Sequence, residues 1–298
     1  MTSLPLTRSG VQAQRSAGGR VPVRANPWPG RLSRVARLYG PLALYGLFTL
    51  IPFYWMLVFA FRPAGSDRPV PWPLSFANFD TVWNGVGFST FFLNSVLVAV
   101  SVMIATTFVA VAAGYALARF RFRGKGVFVL VLLCTQFVPG AMLLIPLFVI
   151  FKQIALINNL GSLIVIDTVF QIPLAAMLMS TFIRGIPFEL EEAAMLDGCS
   201  RLQAFRATIL PLMQPALVAV GSFAFIGAWN NFLFALMFIS RQDRFTIPVG
   251  LSYTLGQYNI DFGALAAGGV VAAVPVVAVF AVVQRYLVQG LSAGAVKG

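Results

Sequence analysis

Long continuous runs of apolar residues dominate the chain from about residue 38 onward. Each run reaches the ~20 residues that a helix needs to cross ~30 Å of hydrocarbon. The strands of a membrane β-barrel alternate apolar and polar positions over ~10 residues, and these runs do not alternate. The pattern therefore predicts an all-α membrane protein with six transmembrane helices, at about 38–61, 91–118, 126–151, 160–183, 215–240 and 262–284.

The composition agrees with a membrane protein. Hydrophobic residues make up 59% of the chain and charged residues only 10%, with a mean hydropathy of +0.85. A soluble domain carries roughly 25% charged residues, and a disordered chain needs low hydrophobicity, so both classes are disfavoured. The chain has no histidine, which excludes His-based triads and His metal sites, and its two distant cysteines, Cys134 and Cys199, give no disulfide framework.

The net charge of +12 is explained by membrane topology. Residues 1–37 hold seven Arg and no acid, and they lack the apolar core of a secretory signal, so we expect a basic, flexible tail. With this tail in the cytoplasm, 16 of the 21 basic residues lie on the cytoplasmic side, as the positive-inside rule requires. Both termini are therefore expected in the cytoplasm, and nucleic-acid binding is a poor explanation of the charge.

The segment between the fourth and fifth runs, residues 187–211, has the pattern of two short helices joined by a tight turn; we call it the hairpin. Gly198 suits a left-handed turn, and Ser200 with Gln203 forms a capping box for a second helix. Acidic residues oppose the dipole at the start of the first helix: Glu189, Glu191 and Glu192.

Two interpretations of the hairpin follow from the residues alone. Ala193 and Ala194 would let another surface approach the backbone closely, and Glu192 offers a charge, so the hairpin could bind a cytoplasmic protein. An amphipathic hairpin packed on the membrane surface would have a similar pattern.

The hairpin also contains a sequence motif that resembles one of a known family. The string E-A-A-x-x-D-G followed by L-P resembles the EAA loop of permease subunits of bacterial ATP-binding-cassette (ABC) importers, although the family usually has an aliphatic residue where this chain has Thr208. Segments 72–83, 227–240, 246–251 and 284–298 are similar to the maltose-type carbohydrate-uptake branch. The resemblance covers roughly residue 38 to the end. The residues that match the EAA loop are Glu192, Ala193, Ala194, Asp197, Gly198, Leu210 and Pro211.

The resemblance implies function and partners. In the family this loop docks on an ATP-hydrolysing subunit, so those residues are expected to couple ATP hydrolysis to the import of a sugar or related polyol. The expected partners are two ATPase subunits, a second and often non-identical six-helix permease chain, an extracytoplasmic solute-binding protein and the lipid bilayer of the bacterial inner membrane.

ATP and Mg are expected on the partner ATPase. The chain lacks a phosphate-binding loop, because its GK pair, Gly124-Lys125, has no upstream glycine at the required spacing. We therefore expect no cofactor, metal or catalytic residue in this chain, which would not be an enzyme.

Polar residues inside the runs are candidates for the substrate path, since transporters line their paths with such groups. Asp167 and Gln171 lie one turn apart, and Asn230 and Asn231 lie in the fifth run. Their carboxylate and amide groups suit sugar hydroxyls. Pairing between helices is the structural alternative for Asp167, and helix packing is the alternative for Asn231.

The remaining predictions concern the domains and the competing classes of protein. Residues 38–288 are expected to form the permease domain and 289–298 a short cytoplasmic tail, in which Gly294 and Gly298 either fray or contact the ATPase pair. A gradient-driven secondary transporter is the main alternative, but it usually needs intramembrane acids or His. A membrane-embedded enzyme and a non-transporting scaffold are further alternatives.

Overall fold

The computed structural model describes residues 31–63, 65–66, 68–254 and 261–295, and every regular element that they form is helical. The α-helices are α1 (Arg31–Phe61), α2 (Ala77–Asp80), α3 (Phe88–Arg119), α4 (Lys125–Thr135), α5 (Leu144–Gln153), α6 (Leu160–Arg184), α7 (Glu189–Leu196), α8 (Arg201–Ala204), α9 (Leu210–Leu212), α10 (Gln214–Trp229), α11 (Leu233–Phe238), α12 (Ile247–Thr254) and α13 (Phe262–Ala295). Short π-helical turns cover Thr81–Gly85 and Phe205–Ile209, and 3-10 turns cover Gly140–Leu143 and Gln242–Arg244.

The chain divides into two units, Met1–Ile51 and Pro52–Gly298. The described part of the first unit is the beginning of α1, residues 31–51. Apart from the beginning of α1, the features below belong to the second unit.

Four helical stretches of the described chain are unbroken and long enough to cross a membrane: Arg37–Phe61, Phe88–Arg119, Leu160–Arg184 and Phe262–Tyr286. Two further apolar segments are bent pairs, Lys125–Thr135 with Gly140–Gln153 at 89° and Arg201–Leu212 with Gln214–Trp229 at 75°. The prediction of an all-helical membrane protein is confirmed, with four to six spans. Neither predicted run 126–151 nor 215–240 forms one continuous helix: the first is interrupted between α4 and α5, and the second at residues 230–232, between α10 and α11.

Local chemistry explains the breaks. Pro139 has an extended backbone (φ −61°, ψ 126°) and cannot donate a hydrogen bond, so the helix that α4 begins cannot continue through it. Pro215 stands in the first turn of α10, the position that tolerates proline, and the chain bends just before it. Apolar composition continues across both breaks, and hydropathy alone therefore hides them.

Close packing joins α3, α6 and α10. A Cβ atom added at Gly114 of α3 would lie 2.7 Å from the Cβ of Met179 and 2.9 Å from the backbone nitrogen of Ser180 in α6. Gly221 of α10 similarly faces the Thr107 hydroxyl of α3 at 3.4 Å. Such small residues let membrane helices approach closely, and these three helices form the framework that holds the hairpin.

Two buried apolar clusters stabilise the second unit. One lies beside the hairpin and includes Met179, Ile183, Ile209 and Met213. The other is larger and rich in aromatic residues, and it includes Phe88 at the first residue of α3. Because α3 contributes to both clusters, it connects the hairpin end of the protein with the opposite end.

Candidate functional site

The hairpin has the predicted helix–turn–helix structure. Gly198 adopts φ +91° between α7 and α8, a conformation that glycine reaches without steric cost. The capping box is reciprocal: the backbone nitrogen of Ser200 donates to Gln203 Oε1 at 2.8 Å, and that of Gln203 donates to Ser200 Oγ at 3.4 Å. The first helix begins at Glu189, two residues after Pro187.

One face of the hairpin is open. Most of the residues that match the EAA loop are exposed, while Ala194 and Leu210 are half-buried. The side chain of Leu196 is 88% exposed at the end of α7, next to the carboxylate of Asp197. An exposed leucine beside exposed acids suits contact with another protein, as the family resemblance implies. The exposed residues that match the loop are Glu192, Ala193, Asp197, Gly198 and Pro211.

The opposite face of the hairpin is fixed to α3 by a buried carboxylate. Glu191 is 2% exposed. Arg119 Nε donates to Glu191 Oε1, and the Tyr115 hydroxyl donates to Glu191 Oε2 at 2.9 Å. Arg119 Nη2 also donates to the backbone oxygen of Ile186 at 2.9 Å. Every oxygen of the buried carboxylate therefore has a partner, as a buried charge requires.

Aromatic contacts extend this attachment to both hairpin helices. The Arg119 guanidinium lies 5.5 Å from the ring centroid of Phe188, just before α7. The Tyr115 ring packs edge-on against Phe205, just after α8, with centroids 4.9 Å apart. From the sequence, Glu191 is predicted only as one of the acids at the helix start. Its partners lie on another helix, and one available signal was the pair Tyr115 and Arg119, one turn apart at the end of an apolar run.

Two of the candidate path residues bind each other. Asn231 Nδ2 donates to Asp167 Oδ1, and Asn231 Oδ1 accepts from the backbone nitrogen of Phe234 at 3.2 Å, at the start of α11. Asp167 is 7% exposed, and its Oδ2 has no partner among the described residues. The geometry favours the structural alternative for this pair, which joins α6 to the break after α10.

Gln171 and Asn230 lie in different surroundings. The Gln171 amide donates to the backbone oxygen of Ala224 at 3.3 Å and lies against Gly227, where an added Cβ would be 3.1 Å from Gln171 Oε1. Asn230 is exposed, and its amide donates to Ile226 O of its own helix at 3.0 Å. Gln171 lines a cavity that also contains another amide and a hydroxyl.

That cavity has a volume of about 230 Å³. Gln171 and Gln136 give it two amides, and Phe223, 67% exposed, gives it an aromatic face. Gln136 follows α4 at the break before Pro139. It is absent from the candidates predicted from the sequence, although an isolated amide inside an apolar run was the signal available. The other lining residues are Thr106, Phe170, Leu174, Ala175, Leu178, Val220 and Ala224.

Of the two candidate glycines near the C-terminus, one lies within the described residues and the other lies outside them. Helix α13 continues to Ala295, so Gly294 lies in its last turn. Gly298, like residues 1–30 of the expected N-terminal tail, lies outside the described residues.

Comparison with known proteins gives consistent similarities. The family model described as "Binding-protein-dependent transport system inner membrane component" matches residues 109–293. The chain is 35% identical to the diacetylchitobiose uptake system permease protein DasC of Streptomyces coelicolor, over 84% of this chain and 92% of DasC. It is 33% identical to the trehalose transport system permease protein SugB of Mycobacterium tuberculosis, over 84% of this chain and 93% of SugB.

A solved structure has the same fold. One chain of a bacterial ABC transporter that imports the acidic polysaccharide alginate superposes with a TM-score of 0.70 at 23% identity, over 85% of this chain and 98% of that chain. The range that the family model matches contains the hairpin, Gln136, Gln171 and Phe223.

Proposed function

The chain belongs to the family of binding-protein-dependent transport system inner membrane components, and we propose that it forms the path by which a mono- or oligosaccharide, or a related polyol, enters the cell. It is the permease subunit of an ABC carbohydrate uptake system, a multi-pass protein of the bacterial inner membrane, and it is not itself an ATPase. Relatives named for diacetylchitobiose and trehalose uptake support a sugar as the substrate.

The hairpin is the proposed contact with the ATPase. It has one face attached to α3 through Glu191 and another face that exposes Glu192, Ala193 and Asp197. This division into an anchored face and an open face is the observation that carries the proposal. A coupling element must be attached to the permease on one face and must bind the ATPase with another. The φ of +91° at Gly198 keeps the turn between the two helices tight.

The complete importer supplies the energy and the substrate. We propose two ATPase subunits that bind ATP and Mg, a second permease chain and an extracytoplasmic solute-binding protein. Closure of the ATPase pair would move the hairpins, and the permease pair would then switch between its outward-open and inward-open states. The hairpin and both termini then lie in the cytoplasm. Residues 1–37 and 289–298 are the cytoplasmic terminal segments, although residues 31–37 belong to α1 and residues 289–295 to α13, and the C-terminal segment lies near the ATPase pair. The excess of basic residues in the hairpin-side segments supports this orientation.

Gln171 and Gln136 are the proposed polar groups of the sugar path. Amides donate to and accept from hydroxyls, and the exposed face of Phe223 offers an apolar surface to a sugar ring. The cavity lies at a break between α4 and the 3-10 turn Gly140–Leu143, and discontinuous helices form the substrate sites of many transporters. Asp167, one helical turn from Gln171, joins α6 to the break after α10 through its hydrogen bond with Asn231.

Purification of the chain from its native membrane tests the function. We expect an ATPase subunit and a second permease to co-purify, and we expect the solute-binding protein with its sugar to stimulate ATP hydrolysis in proteoliposomes. Sugar uptake that persists without the ATPase and collapses with an uncoupler would contradict the proposal and favour a gradient-driven transporter. ATP hydrolysis without any sugar uptake would favour a scaffold.

Labelling tests the orientation. A single cysteine at Ala193, in a chain in which Cys134 and Cys199 are replaced by serine, should react with a membrane-impermeant maleimide only in inside-out vesicles. Reaction in intact spheroplasts would place the hairpin on the outer side and overturn the proposed coupling.

A further inference from the structure

Helix α3 is the one long helix of the described chain without a proline. The other three contain Pro41 and Pro52 in α1, Pro173 in α6, and Pro275 in α13. Proline removes a backbone hydrogen bond and is a main cause of helix kinks. The 32 residues of α3 therefore form an uninterrupted rod, about 48 Å long at 1.5 Å per residue.

The hairpin end of this rod is attached to both hairpin helices. Arg119 and Tyr115 bind the buried carboxylate of Glu191, and Tyr115 also packs on Phe205. Breaking a buried ion pair leaves an uncompensated charge in a poorly hydrated site. The hairpin and the end of α3 are therefore expected to move together.

The opposite end of the rod holds a second segment, residues 241–247, which we call the return segment. Asn94 Nδ2 donates to the backbone oxygens of Asp243 and Phe245 at 3.1 and 3.0 Å. The backbone nitrogen of Ile247 donates to the buried Ser95 hydroxyl at 2.8 Å. Side chains of α3 thus satisfy three backbone groups of the return segment, which fixes its position on the rod.

We propose that α3 is a strut that transmits movement of the hairpin to the return segment, with Tyr115 and Arg119 as positioning residues at one end and Asn94 and Ser95 at the other. The proposal rests on the function assigned above, in which the ATPase moves the hairpin. The return segment then lies at the outer end of α3, on the side from which the solute-binding protein delivers its sugar. The strut makes the outer surface respond to nucleotide binding at the inner surface.

If Asn94 and Tyr115 had only structural roles, a different result of changing them would be expected. Asn94 and Tyr115 are 21 positions apart on α3, a distance of about 32 Å along the helix. Effects of changes at sites this far apart, with no shared partner, are normally independent. If both residues belong to one relay, however, breaking either end disconnects it, and breaking the second end adds little.

The test is a double-mutant cycle in the complete importer, reconstituted with its ATPase, second permease and solute-binding protein. Tyr115→Phe keeps the ring and removes only the hydroxyl that binds Glu191, while Asn94→Ala removes the amide that binds the return segment. The quantity measured is sugar transported per ATP hydrolysed. We expect each single variant to lower this ratio by about two- to thirty-fold, the range of mutations that alter coupling between sites, and the double variant to match the more severe single variant.

Asn84→Ala is the matched control. Its amide donates to the exposed carboxylate of Asp80 at 2.6 Å, beyond the end of the rod, so its loss should leave the ratio unchanged. If Asn94→Ala prevents assembly, Ser95→Ala replaces it in the cycle, with the same expected result.

A double variant whose loss equals the product of the two single losses overturns the strut, and so do single variants with an unchanged ratio. Both outcomes require a wild-type importer that couples ATP hydrolysis to sugar uptake. A wild type that does not do so contradicts the proposed function instead, and the two failures are therefore distinguishable.

Discussion

Glu191 and Arg119, 72 positions apart in the sequence, form a buried ion pair that attaches the hairpin to the end of α3. The next residue, Glu192, is exposed, because it follows Glu191 by one position and therefore projects about 100° further around the helix. Two adjacent carboxylates therefore have different roles: the buried one holds the hairpin on the permease, and the exposed one is available to a partner.

Arg119→Met should destabilise the hairpin. The change leaves the Glu191 carboxylate buried without its cation, which typically costs about 3–5 kcal/mol. Limited proteolysis within residues 187–211 and the melting temperature of the purified complex measure the effect. Arg121→Met, at an exposed position two residues away, is the control and should change neither quantity. Adding Glu191→Gln to Arg119→Met should recover part of the lost stability; no recovery would argue against a charge effect.

Glu192→Lys should uncouple ATP hydrolysis from transport. The side chain is exposed on the open face of the hairpin, so charge reversal should leave the fold intact and disturb only the proposed ATPase contact. Sugar uptake should fall at least tenfold, equivalent to about 1.4 kcal/mol, while the melting temperature stays constant. Glu189→Lys provides the comparison at another exposed acid of the same helix. Unchanged uptake together with unchanged assembly would remove Glu192 from the proposed interface.

Gly198→Leu should impair coupling through backbone conformation. Nothing lies within 4 Å of a Cβ added there, but the φ of +91° is unfavourable for any residue with a side chain, by roughly 1–2 kcal/mol. Gly126→Leu is a matched control, because Gly126 also has open space and lies within α4 without a positive φ. We expect lower sugar uptake per ATP hydrolysed for the first variant and wild-type behaviour for the second. Equal effects would show that side-chain bulk matters rather than the turn.

Gln171→Leu should weaken sugar transport without loss of assembly. The substitution keeps the approximate size of the side chain and removes hydrogen bonds worth about 0.5–1.5 kcal/mol each, so the apparent KM for uptake should rise several-fold. Gln136→Leu should have the same effect because both amides line one cavity. Asn230→Leu, whose amide binds its own helix outside that cavity, should transport normally. Normal transport by both Gln variants would exclude this cavity from the path.

Asn231→Leu should lower stability more than it alters substrate recognition. It leaves the buried Asp167 carboxyl without the amide that binds Oδ1 and removes the acceptor for the Phe234 backbone nitrogen. An unsatisfied buried polar group costs about 1–3 kcal/mol. The melting temperature should fall, while the apparent KM for sugar stays within about two-fold. A large change in KM at constant stability would restore the alternative that Asp167 and Asn231 line the path.

The sequence by itself determined the class of protein and the local helix–turn–helix structure of the hairpin. Long apolar runs with few charged residues require a membrane, because a protein surface made of them would be poorly hydrated in water. Gly198 and the Ser200–Gln203 capping box act over three or four residues, so their structure follows from local chemistry. The EAA string likewise identified the family, because its residues are contiguous in the chain.

Tertiary structure alone decided how distant polar residues pair. Asp167 and Asn231 were predicted as separate candidates for the path, yet they bind each other across 64 positions. Gln136 and Gln171 line one cavity beside the 89° bend between α4 and the 3-10 turn Gly140–Leu143, which the sequence does not reveal. Inside a membrane the apolar residues are nearly interchangeable, and hydropathy cannot specify which helix faces meet. The few polar side chains must find partners there, and those partners become known only when the helices are packed.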